Sequence, residues 1–183
     1  DLCSAHRFGN QPRGITAEAR DSPILTPRHQ RLTFSSMTHQ IHGTCVKLSG
    51  VGVLLRGPSG SGKSDLALRL IDDGASLIAD DRVDLEVLDG ALIGRAPGNI
   101  AGMIEVRGMG IMRVPSTAYT TIDLVIDLVD AETIERMPEP MVCSLLEVEM
   151  PLMRLVAEAA SAPARVRLAV AAAQQPIALV AAL

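Results

Sequence analysis

Residues 57–64 read Gly57-Pro58-Ser59-Gly60-Ser61-Gly62-Lys63-Ser64, a complete G-x-x-x-x-G-K-[ST] element. An apolar run, Val51-Gly52-Val53-Leu54-Leu55, leads into it. Asp65-Leu66-Ala67-Leu68-Arg69-Leu70-Ile71 follows, with Ala67, Leu70 and Ile71 at helical spacing. The stretch therefore predicts a buried strand, a tight loop and a helix, which is the context this motif needs in order to work. Glycines at 57, 60 and 62 permit backbone conformations that a Cβ would forbid. The loop can then turn its N–H groups inward around phosphate oxygens, at the positive end of the following helix. Lys63 would reach the outer phosphates and the Ser64 hydroxyl would serve Mg²⁺. The ligand class implied is a nucleoside triphosphate with its metal. A chance Gly/Ser loop would not be expected to carry both flanks as well.

Length and charge narrow the remaining classes. At 183 residues the chain is one domain with room for an appendage. A net charge of −4 argues against a nucleic-acid surface, which needs clustered Lys and Arg. The three cysteines, Cys3, Cys45 and Cys143, are widely spaced and form no C-x-x-C pair, so neither a zinc knuckle nor a disulfide framework is expected. Cys45 and Cys143 read as small buried hydrophobes, and a reducing cytoplasm is the expected setting. No apolar stretch reaches the roughly 18 residues of a membrane span, and the N-terminus has no apolar signal core. Aromatic residues make up only 2%, so few rings exist to stack on a base. Nucleotide recognition would rest mainly on the phosphates.

Residues 1–36 differ from the rest. They hold five Arg, three acids and three Pro without apolar periodicity, a composition that cannot offset its own ordering entropy. The expectation is a disordered tail of charge +2 ahead of an acidic catalytic domain over 37–183 of charge −6. An organelle transit peptide, or a natural start at Met37, are the alternatives for that stretch. Beyond it, strands are expected at 44–48, 51–55, 76–79, 83–88, 91–93, 103–107 and 122–128. Asp89-Gly90 predicts a type I′ hairpin turn, and Gly74 a helix stop. Glycines at 94, 98, 102, 108 and 110 mark two flexible loops. Short helices are expected at Ala131–Arg136 and after Arg165. Hairpins outnumber strand–helix–strand units, so the fold class is α/β with a mixed β-sheet and flanking helices.

Several residues could carry chemistry. Asp80-Asp81 ends a buried strand, where loops of this kind find a carboxylate for Mg²⁺ or for a nucleophile; a solvated turn would look the same. Adjacent strand residues point to opposite sides, so the two should differ in role. Glu105 and Arg107 stand two apart on one strand face, either as metal ligand and phosphate contact or as a surface salt pair. His42, before Gly43, could be structural or catalytic. Arg136 could simply cap a short helix.

Taken together, His42-Gly43, the loop 57–64, Leu77-Ile78-Ala79-Asp80-Asp81 and Ile104-Glu105-Val106-Arg107-Gly108-Met109-Gly110-Ile111 resemble the HPr kinase/phosphorylase family. The Glu-x-Arg-Gly-x-Gly-Ile stretch is that family's signature, and the likeness runs over residues 38–158, weakening after 113. It implies a core akin to phosphoenolpyruvate carboxykinase. It also implies an ATP- and Mg²⁺-dependent serine kinase acting on the phosphocarrier protein HPr, able in the family to remove the phosphate as well, and a homo-oligomer, with hexamers known. Carried over, Lys63 matches the phosphate contact, Ser64 and Glu105 the metal ligands, Asp81 the acid/base, His42 a second active-site residue, and Arg136 a later active-site arginine. Arg107, Gly108 and Gly110 fall in the signature loop. The family's N-terminal domain has no counterpart in the 36 residues before the core. Its C-terminal Pro-x-Arg-Pro-Gly-Arg-Asn segment is reduced to Ser161-Ala162-Pro163-Ala164-Arg165 at most. A small-molecule kinase would reuse the same loop but needs an Arg-rich lid, and 113–135 holds only Arg113. A nucleotide sensor would need neither Asp81 nor Glu105.

Overall fold

A computed structural model describes residues 38–174. The readings of 1–36 and of the residues after 174 lie outside this range. In chain order the elements are β1 (His39–His42), β2 (Thr44–Leu48), β3 (Val51–Arg56), α1 (Lys63–Asp72), β4 (Ser76–Ala79), β5 (Arg82–Leu88) and β6 (Ala91–Arg95). There follow β7 (Met103–Val106), β8 (Gly110–Arg113), β9 (Tyr119–Thr121), β10 (Leu124–Leu128), β11 (Met141–Leu145), β12 (Val148–Leu155) and α2 (Ala162–Gln174).

The expected mixed sheet is present, with six strands in the order β11-β12-β10-β3-β2-β4. Its centre, β3, β10 and β12, runs parallel; the flanks are antiparallel. Alternation along these strands builds two cores. Val51, Val53 and Leu55 of β3, with Leu124, Ile126 and Leu128 of β10, face Leu66, Ala67 and Leu70 of α1 and Val166 and Val170 of α2. Leu54 and Val125 point the other way, onto Val83, Leu85, Leu92 and Ile122. That second core lies under a four-stranded antiparallel sheet, β1-β5-β6-β9. The period of two in each strand is what lets a single sheet carry a core on both faces.

Several expectations needed correction. The strand predicted over 122–128 is β10 from Leu124, because the chain changes sheets just before it. The Ile122 N–H donates to Leu92 O, and the next N–H, of Asp123, donates to Gly52 O. At this crossing a Cβ on Gly52 would lie 1.9 Å from Thr121 O, so no other residue fits. The helix expected at Ala131–Arg136 is one 3₁₀ turn, Ala131–Thr133, with no buried residue, and Arg136 is exposed beyond it rather than capping it. A segment with no face to bury has no tertiary packing to offset helix nucleation. Gly94 sits inside β6, not in a loop, and Gly110 opens β8. Strand β7 ends at Val106, so Arg107 belongs to the following turn and does not share a strand face with Glu105. Strands β1, β8, β9, β11 and β12 escaped the sequence reading.

Candidate functional site

The loop leaves β3 at Arg56, whose guanidinium forks onto the Asp127 carboxylate of β10 at 2.8 and 2.9 Å. This bidentate pair holds the Arg56 charge above its usual range, against the opposing effect of burial. It fixes two parallel strands directly beneath the loop. Gly62, at φ 85, then sets the first turn of α1, with Leu66 N–H donating to Gly62 O at 2.9 Å. No side chain caps this N-terminus, so its N–H groups and the positive end of the helix dipole are open to an anion.

Lys63, only 6% exposed, donates to Gly57 O at 2.9 Å and Pro58 O at 2.8 Å. Burial pulls its ammonium below the usual lysine range, and the charges of Asp81 and Asp80 pull the other way.

Asp80 is the hub of the site. Its Oδ1 accepts from the Ser64 hydroxyl and from the Thr44 hydroxyl of β2, each at 2.8 Å. Its Oδ2 accepts from the Glu105 N–H of β7 at 3.2 Å. The carboxylate is 5% exposed and ties the loop, the β2–β4 edge and the signature strand together. Sequence reasoning singled out the pair but gave Asp80 no part of its own, and nothing in the sequence marked Thr44.

Asp81 turns the opposite way. Its φ of 66 is a left-handed conformation that Asp tolerates better than most residues. The Arg82 N–H reaches back to Asp80 O at 2.8 Å, closing the bend between β4 and β5. The Asp81 side chain is thus exposed, with Oδ1 3.2 Å from His42 Nδ1. The same His42 nitrogen lies 3.0 Å from Asp81 O, and Gly43 N–H donates to that oxygen at 3.1 Å. The structure therefore brings Lys63, Ser64, Asp80, Asp81, His42 and the backbone of Glu105 into one region. Among the described residues no hydrogen bond or ion pair joins Arg136 to it. Arg107, Gly108 and Gly110 form an exposed hairpin turn.

Two hollows adjoin these groups. A cleft of about 770 Å³ opens where the carboxyl ends of β3, β10 and β12 meet, walled by Pro58–Ser61, Leu128–Thr133, Arg154 and Val156–Glu158. That is where open α/β sheets take their ligands. A smaller hollow of about 270 Å³ is lined by Gln40, Ile41, His42, Asp81 and Arg82.

The HPr Serine kinase C-terminal domain model matches residues 33–175. The chain belongs to this family. A solved structure, the Hpr(Ser) kinase/phosphatase from Coxiella burnetii, shares the HPr kinase fold seen here. Its TM-score is 0.67 at 28% identity, covering 74% of this chain and 96% of that one. The HPr kinase/phosphorylase of Clostridium beijerinckii is 52% identical over 80 residues, 44% of this chain and 26% of that protein. That of Clostridium tetani is 51% identical over 77 residues, 42% of this chain and 25% of the relative. The match thus spans about a quarter of the length of these relatives. Among the described residues no helix is long and apolar enough to cross a membrane.

Proposed function

We propose that this domain transfers the γ-phosphoryl group of ATP to a serine hydroxyl of an HPr-type phosphocarrier protein in the cytoplasm. The observation that carries this reading is the divergence of two neighbouring carboxylates. Asp80 is wired to the loop through Ser64 at 2.8 Å, while Asp81 faces solvent beside His42. Loop N–H groups and the start of α1 receive the phosphates. Lys63, which rests on two loop carbonyls, turns to the outer phosphate when one is bound. Ser64 Oγ and Asp80 Oδ1 are two hard oxygens 2.8 Å apart. A hydroxyl and a carboxylate oxygen suit a hard cation, so the pair would hold Mg²⁺, with Glu105 as a further oxygen donor. A metal held there would supply charge neutralisation for the β- and γ-phosphates.

Asp81 accepts the proton of the serine hydroxyl as the new O–P bond forms and the bond to the leaving oxygen of ADP breaks. His42 holds the carboxylate from its Oδ1 side. Transfer of this kind depends chiefly on positioning and charge neutralisation, and the base adds about 10²–10⁴-fold. Arg136 would, by family likeness, be a later active-site arginine. By family likeness the active species is a homo-oligomer, which sedimentation will test.

The reading is tested by incubating the protein with Mg-ATP and purified HPr and measuring intact mass. One phosphoryl group on an HPr serine is expected, and Lys63→Ala should weaken both transfer and nucleotide binding. Label from γ-labelled ATP appearing only in a small metabolite would favour the small-molecule kinase, and no label at all the nucleotide sensor.

A further inference from the structure

Asp81 has a second neighbour. Arg82 Nε lies 3.8 Å from Asp81 Oδ2, opposite the His42 contact at Oδ1. The guanidinium is itself held, since its Nη1 donates to Gln40 Oε1 at 2.9 Å. Gln40 in turn donates through Nε2 to Asp84 Oδ1 at 2.9 Å. The antiparallel ladder between β1 and β5 dictates this chain of contacts. Gln40 pairs with Asp84 and His42 with Arg82, so all four side chains stand on one face of the sheet. Val83 and Leu85, on the opposite face, are fully buried in the second core and hold the strand beneath them.

An exposed carboxylate at the apex of a turn has rotational freedom that contacts at its oxygens restrict, here His42 at Oδ1 and, as an ion pair longer than a hydrogen bond, Arg82 at Oδ2. A general base has to present one oxygen at hydrogen-bond distance from the acceptor hydroxyl. Ion pairs this exposed contribute little to stability, so the network adds little to the fold. Its effect falls on the orientation of one side chain.

We propose that Arg82, anchored by Gln40 and through it by Asp84, is a positioning residue that fixes the Asp81 carboxylate for proton transfer. The inference rests on Asp81 being the base. It is tested with Arg82→Gln, Arg82→Lys and Gln40→Ala, and with Arg82→Gln combined with Asp81→Asn, using Mg-ATP and HPr. Arg82→Gln should lower kcat by roughly 10- to 100-fold, the loss that misplacing a catalytic group brings. KM for ATP, KM for HPr and the melting temperature should stay unchanged. Gln40→Ala should show a smaller loss of the same kind, and Arg82→Lys, which keeps the cation, should recover part of the rate. In the Asp81→Asn background, Arg82→Gln should cost nothing further.

Parental kcat in Arg82→Gln would overturn the inference. So would a rise in KM for HPr at unchanged kcat, which would make Arg82 a carrier contact, or a full second loss on top of Asp81→Asn. Parental transfer by Asp81→Asn alone marks a different failure, that of the base assignment itself.

Discussion

On the loop side of the site the polar groups are buried: Lys63 is 6% exposed, Asp80 5% and Thr44 0%. On the other side the side chains of His42, Asp81 and Arg82 are 47%, 67% and 63% exposed. Lys63, Asp80 and Thr44 are therefore buried with the core beneath a loop whose own tip, Pro58–Gly60, is exposed, and their geometry is over-determined by the strands that meet there. The acceptor side stands on a sheet surface, gripped by contacts too weak to matter to folding. Substitutions on the first side should change fold and binding together. Those on the second should change rate alone.

The largest effect that would break or sharpen this contrast belongs to Asp81→Asn. Asparagine tolerates the left-handed backbone, so the melting temperature and ATP affinity should hold while phosphoryl transfer falls about 10²–10⁴-fold. Steady-state transfer assays beside calorimetric ATP titration read both. Next is Gly52→Ala, where a Cβ meets backbone 1.9 Å away. Urea unfolding should show a loss of about 3 kcal/mol, at the upper end of overpacking costs.

Asp80→Asn tests the buried side more finely. One amide oxygen can still accept from Thr44 and Ser64, but its NH₂ then confronts the Glu105 N–H. A cost of about 1–3 kcal/mol is expected, together with weaker nucleotide binding. A melting temperature as undisturbed as that of Asp81→Asn would erase the distinction drawn between the two sides.

The smallest effect is one of pH. Burial, with a contribution from Asp123, pushes the Cys45 thiol far above its ordinary 9.0. Above that value the unfolded chain loses this proton while the folded chain keeps it, so stability falls as pH rises. Between pH 9 and 10 the parent should lose about 1 kcal/mol more than Cys45→Ala, measured by denaturant titration at both values.

Much of the fold was legible where turns carried a chemical signature. Ser49-Gly50 and Asp89-Gly90 both adopt the positive φ pair of a type I′ turn, and the strands around them were found. The β11–β12 hairpin turns with the same geometry on Leu146-Glu147, at φ 49 and 66. Neither residue announces such a turn, so both strands were missed. The pairing imposes the turn there, against local preference. Arg107 was misplaced onto a strand face because alternation continued one residue past the end of the strand at Val106, into the turn that Gly108, at φ 84, completes. In the candidate site the backbone of the loop was readable, since Gly57, Gly60 and Gly62 all take the positive φ that glycine adopts without a steric cost. The anchoring of Arg82 beside Asp81 was not, because Gln40 and Arg82 lie 42 residues apart in sequence and meet only through strand pairing.

By itself the sequence determined a glycine-rich loop between a strand and a helix, a set of alternating strands with two interior faces, and membership in a kinase family. Those features are encoded locally, in residue spacing and in backbone permission. The tertiary structure decided which of two adjacent aspartates went inward and which outward, and which side chains grip each one. That choice comes from the left-handed turn at Asp81 and from the register of β1 on β5, and register depends on pairing between distant segments.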